Sequence, residues 1–135
     1  MTDKLIHKEL SESIIGSAMQ VLNTLKPGLD EKLYERALAI ELRKRGHRVE
    51  TQVEYPVFYD NQQIGLLIPD LVVDKTVIVD TKVVTGFDES HVAKMIGYLA
   101  ISELQLALLI NFKYAKLKWK RVVRQLPPVH PRPSA

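Results

Sequence analysis

Three charged residues stand inside stretches of sequence that are otherwise apolar. Asp70 interrupts LLIPDLVV, and Asp80 and Lys82 interrupt VIVDTKVV. Burying a carboxylate is unfavourable unless it is paired or binds a cation. Asp80 and Lys82 are two residues apart, so on a strand they share one face. One reading is structural: Lys82 forms an ion pair with Asp80 or Asp70 on a wet sheet face. The other is chemical, because two carboxylates beside an ammonium are what a magnesium site for phosphodiester hydrolysis requires. Oxygen ligands hold the hard cation, and the cation lowers the pKa of its water. A lysine nearby orients that water or offsets the charge that builds on the phosphate.

A second charged feature lies at the carboxyl end. Of the 19 Lys and Arg residues, Lys113, Lys116, Lys118, Lys120, Arg121, Arg124 and Arg132 follow residue 112, where none of the 16 Asp and Glu residues lies. Clustered cations are the electrostatic footprint of phosphate binding, and they also suit a solvated terminal strand with a sticky tail. Tyr114 and Trp119 lie among these lysines; their alternation fits a two-faced strand better than a base-stacking platform. His7, His47 and His130 lack metal-ligand spacing and read as surface histidines.

Composition removes several classes. With no cysteine among 135 residues, a disulfide scaffold, a thiolate zinc site and a cysteine nucleophile are excluded. The longest apolar runs, such as 106–110, are strand-sized, far short of the roughly 20 residues that a bilayer span needs. The opening MTDKLIHKEL has no apolar stretch of signal-peptide type. The expectation is a soluble cytoplasmic protein with no membrane contact. A single domain is expected over residues 1–125, followed by a Pro-rich disordered tail over 126–135 (LPPVHPRPSA).

The elements that must carry the charged residues follow from periodicity. Ile14, Ile15, Ala18, Leu22 and Leu25 fall at helical spacing within 9–25, and Lys26-Pro27-Gly28 ends that helix. A second helix is expected from Asp30, as N-cap, to Arg45, with Gly46 as the stop and an apolar face drawn through Leu33, Ala37, Ile40 and Leu42 or their neighbours. From Val49 to Tyr59 the period becomes two, which predicts a half-buried strand. Asp60-Asn61-Gln62 is turn chemistry, so 63–74 should return as the second arm of a hairpin. Residues 77–84 are apolar enough for a strand near the sheet centre. A third helix over 88–103, buried through Val92, Met95, Ile96, Leu99 and Ala100, precedes strands at 105–112 and 117–124. The order ααβββαββ is that of an α/β domain with a mixed central β-sheet flanked by helices.

On this frame the motifs resemble a known family. Pro69-Asp70, followed ten residues on by Asp80-Thr81-Lys82, resembles the PD-(D/E)-x-K signature. Upstream, Gly28-Leu29-Asp30-Glu31-Lys32-Leu33-Tyr34 resembles the G-x-x-E-x-x-Y motif that names one small bacterial family of that nuclease superfamily. His91, Lys94 and Tyr98 share a face of the third helix where relatives carry a histidine, a glutamine and a tyrosine, and Leu108–Phe112 is similar to the closing strand. The resemblance covers residues 8–124 with its motifs in order. Asp80 stands where the family has a glutamate, and Lys94 where it has a glutamine.

The resemblance implies a restriction-endonuclease-like fold and a nuclease that hydrolyses phosphodiester bonds with Mg2+ or Mn2+. Asp70, Asp80 and Glu31 would be metal ligands, the Thr81 carbonyl would add an oxygen, and Lys82 would be the catalytic lysine. Tyr34 would pack or hydrogen-bond beside Glu31, and His91, Lys94 and Tyr98 would border the substrate. The basic strip Lys113, Lys116, Lys118, Lys120 and Arg121 would contact nucleic acid, DNA rather than RNA, without base reading and so without strict sequence specificity. A homodimer stays open. So do a catalytically inactive module on the same fold, binding nucleic acid or a protein, and an oligomerising domain whose charges are structural.

Overall fold

The computed structural model describes residues 6–125; the Pro-rich tail expected at 126–135 lies outside them. Two helices, α1 (Lys8–Leu25) and α2 (Glu31–Lys44), open the chain. Five strands follow: β1 (Val49–Glu50), β2 (Tyr55–Tyr59), β3 (Gln62–Leu67), β4 (Leu71–Val73) and β5 (Val77–Lys82). Helix α3 (Glu89–Ser102) then precedes β6 (Leu106–Asn111) and β7 (Lys118–Val123). The five-stranded sheet runs β1-β4-β5-β6-β7, and β2 pairs with β3 in a separate ribbon. Only β5–β6 is parallel, so the sheet is mixed as expected.

The long hairpin differs from its expected form. Each arm is interrupted, because residues 51–54 and 68–70 leave the ladder; Gln52 takes a positive φ of 63°. The inner halves, β1 and β4, join the sheet, while the outer halves twist away as the ribbon. Asp60 and Asn61 both have positive φ, the two-residue turn that matches strand twist. The break at Ile68-Pro69-Asp70 puts Asp70 at the mouth of β4 instead of inside a strand, and there proline's missing N–H costs no ladder bond.

Sheet alternation divides the core. Leu71, Val73, Val77, Val79, Leu106, Leu108 and Ile110 pack beneath α1 and α2. Val72, Ile78, Ala107, Leu109 and Val122 pack against Met95 and Leu99 of α3. Helix α2 keeps part of the expected face, with Leu42 buried and Ala37 half-buried; Tyr34, Glu35, Leu38 and Ala39 complete its inward side, while Leu33 and Ile40 stay exposed at 43% and 67%. The inward orientation agrees with the stacking of the Tyr34 ring on Phe112, 4.8 Å away at 7°. On α3, Ala100 is exposed and Val92 and Ile96 are only half-buried. Among the described residues no helix is long and apolar enough to cross a membrane.

Candidate active site

Strand register brings the charged residues together. Leu71 pairs with Val79, so one step further places Asp70 opposite Asp80 at the end of the sheet. Asp80 and Lys82 lie two and four residues past Ile78 on β5 and share its face. Lys82 Nζ lies 2.6 Å from Asp80 Oδ2, with their side chains 14% and 3% exposed. That Asp80 oxygen is charge-compensated yet receives no hydrogen bond of proper direction from any described group. Asp70 Oδ2 accepts the Thr81 backbone N–H at 3.0 Å and the Thr81 hydroxyl at 3.3 Å. Glu31, the first residue of α2, arrives from the other face of the sheet. Its Oε1 accepts the Val83 N–H at 3.3 Å, one residue past Lys82.

The electrostatics follow from this crowding. Burial pushes the Asp70 carboxyl up to about 6, helped by the negative charges of Asp80 and Glu35, against the pull of the Thr81 N–H. Burial alone would lower the Lys82 ammonium, but contact with Asp80 and the charges of Glu31 and Asp70 outweigh it and hold the pKa above its ordinary value. Lys82 is therefore a fixed cation in the metal-free protein, able to offset charge on a phosphate. Glu35 is a participant that sequence reasoning missed. It is buried on α2, pairs with Lys32 at 3.2 Å and acts on Asp70. A charged residue on a face shared with Leu38 and Leu42 was its only signal.

The donor set fits a hard divalent cation. Two carboxylates crowded at one place, one of them with its pKa raised by burial and by the other's charge, are relieved by a positive ion. Among the described residues no group of three or more His, Cys, Asp or Glu side chains forms a ready-made metal cluster. Glu31 is engaged with Val83 and does not complete a triad with the two aspartates. Cavities of about 570 and 650 Å³ flank β7 toward α1 and α3 respectively, and Asp70, Asp80 and Lys82 line neither.

The remaining expected site residues are placed as follows. Tyr34 is fully buried; its hydroxyl donates to Lys26 O at 2.5 Å and accepts from Leu29 N–H at 3.1 Å, tying down the turn before Glu31. It packs and does not face a substrate. His91 closes a capping box with Asp88 at the start of α3, and Lys94 lies 5.4 Å from the centre of the Tyr98 ring. No described contact joins these three to the aspartates. Lys113, Lys116, Lys118 and Lys120 are exposed. Arg121 is not part of that free strip, because its guanidinium holds Ser11 Oγ at 2.8 Å and Ile6 O at 2.7 Å. Register places Lys82, Asn111 and Lys118 in one row across β5, β6 and β7, and Asp80, Leu109 and Lys120 in the next. With strands about 4.8 Å apart, the strip begins roughly 10 Å from the carboxylates on the same face.

His47 is more than a surface histidine. Its Nδ1 meets Asp74 Oδ2 at 2.7 Å, and its Nε2 meets Ser13 Oγ at 2.7 Å. The order resembles a hydrolytic triad, but Ser13 lies inside α1, where neighbouring N–H groups are spent on the helix and leave no oxyanion donor. The relay ties α1 to the Asp74–Lys75 turn.

The family model for the PD-(D/E)XK nuclease superfamily matches residues 8–122. No curated protein and no solved structure matches the chain.

Proposed function

Because the chain belongs to the PD-(D/E)XK nuclease superfamily, we propose that it is a metal-dependent nuclease hydrolysing nucleic-acid phosphodiester bonds without strict sequence specificity. The observation that carries this reading is the Asp70–Asp80–Lys82 group at the end of β4 and β5, in register with an exposed row of lysines. Asp70 and Asp80 would hold Mg2+ or Mn2+, joined by the second oxygen of Glu31 and the Thr81 carbonyl. Such an ion supplies an activated water and neutralises charge on the phosphate. Thr81 fixes the Asp70 carboxylate, and Lys82 offsets the negative charge of the reacting phosphoryl oxygens.

Lys113, Lys116, Lys118 and Lys120 would hold the backbone of the substrate, with DNA preferred to RNA. Glu31 and Tyr34 support membership of the G-x-x-E-x-x-Y group, since one holds the backbone just past Lys82 and the other fixes the turn that delivers it. The reading places the protein in a bacterial cytoplasm. A homodimer would use the exposed Phe58, Ile64 and Leu66 of the outer ribbon.

The test is cleavage of DNA and RNA with and without each metal. Wild type should cut only with metal, and Asp80→Asn should not cut. At about 100 times its Kd the ion should also stabilise the fold by about 2.7 kcal/mol, read as a rise in Tm. The close Asp80–Lys82 pair favours one competing reading, an inactive module whose charges satisfy each other. That reading requires nucleic-acid binding with neither cleavage nor a metal-dependent Tm.

Binding should depend on the strip. Changing Lys116, Lys118 and Lys120 together to Gln should weaken DNA binding and flatten its salt dependence, by about 0.9 in the logarithmic slope for each phosphate no longer neutralised. Filter binding across a salt series checks this, and an unchanged slope would show that the strip is only solvated.

A further inference from the structure

Beyond Lys82 the chain leaves the sheet, and side chains from two other elements take the next two peptide N–H groups. Val83 N–H goes to Glu31 Oε1 at 3.3 Å. Val84 N–H goes to Asn111 Oδ1 at 3.2 Å, while Asn111 Nδ2 donates to Val84 O at 2.7 Å. Asn111 Oδ1 also accepts the Lys113 N–H at 3.1 Å. A primary amide that offers both donor and acceptor to one residue's N–H and C=O imitates another rung of the β-ladder. Asn111 is well placed for this, since it pairs directly with Lys82 across the parallel strands. The next residue, Phe112, donates its N–H to Lys82 O at 2.9 Å and stacks on Tyr34, whose hydroxyl secures the turn before Glu31.

From these contacts we infer that Asn111 is a positioning residue. Its amide fixes the backbone just beyond Lys82, and so keeps the Lys82 ammonium against Asp80 and the Val83 N–H on the Glu31 carboxylate. A plain core role does not account for the residue. Asn111 is 2% exposed at the end of an apolar strand, where a leucine would fill space without a polar group to satisfy. Three hydrogen bonds directed at the segments after β5 and β6 are what the amide adds. The catalytic consequence rests on the nuclease reading above, and the hold on the backbone does not.

The experiment compares wild type with Asn111→Leu, which keeps the branched shape and removes all three bonds, and Asn111→Asp, which keeps the acceptor and removes the donor. Amide hydrogen exchange is read at Val83, Val84 and Lys113 alongside kcat and KM for metal-dependent DNA cleavage. In Asn111→Leu the three amides should lose protection while β6 and α2 keep theirs, and kcat should fall about 10–100-fold with KM for DNA little changed. In Asn111→Asp, Val84 and Lys113 should stay protected and the loss in kcat should be smaller. Should Asn111→Leu fail to fold, Asn111→Ala takes its place, with the same amides expected to lose protection and kcat expected to fall. Unchanged protection in the Leu or Ala variant overturns the inference, and so does lost protection with wild-type kcat. If wild type cuts nothing, the proposed function falls, and exchange alone judges the hold on the backbone.

Discussion

Lys82→Met will abolish metal-dependent cleavage, by about 10²–10³-fold or more, and will also destabilise the protein. The second effect comes from Asp80. Its side chain is 3% exposed, and Lys82 is the cation beside it. Removing one partner of a buried pair typically destabilises by about 3–5 kcal/mol, because the remaining charge is left uncompensated. Inactivity of this variant alone would therefore mix lost chemistry with lost fold. The double change Asp80→Asn with Lys82→Met removes both charges and should recover most of the stability while remaining inactive. Asp80→Asn alone should be milder, since the long Lys82 stem can carry its charge outward. Urea unfolding and single-turnover cleavage separate the two effects. Turnover retained by Lys82→Met would remove the lysine from the mechanism. A double variant as unstable as Lys82→Met would show that the buried pair is not what stabilises this corner.

Without metal, stability should fall as pH rises from about 4 to about 6. Asp70 is the cause: its carboxyl is raised from 3.8 to about 6, chiefly by burial and next by Asp80. The folded chain thus holds a proton that the unfolded chain has already released, and folding is favoured on the acid side. The slope is at most about 1.4 kcal/mol per pH unit, reduced by the solvent that reaches Asp70. Above pH 6 that contribution is gone. Asp88 works in the opposite direction, because the Ser90 hydroxyl and the His91 N–H hold its carboxyl below the ordinary value; its contribution is present at neutral pH and lost on acidification. The measurement is therefore a difference, with Tm followed across pH for wild type and Asp70→Asn. The variant should lack the slope and be the more stable protein at pH 7. Saturating Mg2+ or Mn2+ should remove the slope from wild type too, since a cation favours ionised Asp70. Parallel pH profiles for wild type and variant would show that Asp70 titrates normally.

Much of this protein is legible in its residues. The change from helical to alternating periodicity places three helices and the sheet strands, because side-chain direction is a local consequence of backbone geometry. Asp70, Asp80 and Lys82 are conspicuous for the same reason: a charge at a core position demands an explanation wherever the strand lies. Their shared face follows from counting, and pairing one step past Leu71 and Val79 puts the aspartates opposite each other.

What periodicity leaves open is which partner an element meets. Helix α2 carries apolar residues on two overlapping stripes, and the one turned inward is the one that packs Leu38 and Leu42 in the core and stacks Tyr34 on Phe112. The hairpin reads as two continuous arms, yet its outer half separates from the sheet at Gln52 and Pro69. Arg121 looks like its neighbouring lysines until Ser11 of α1 and the carbonyl of Ile6, just before that helix, meet it. Glu31 and Val83 are 52 residues apart, and Asn111 and Val84 are 27 apart. Nothing local marks those contacts. A chain's residue pattern sets which groups cannot remain buried alone, and the tertiary structure decides which distant group satisfies each of them.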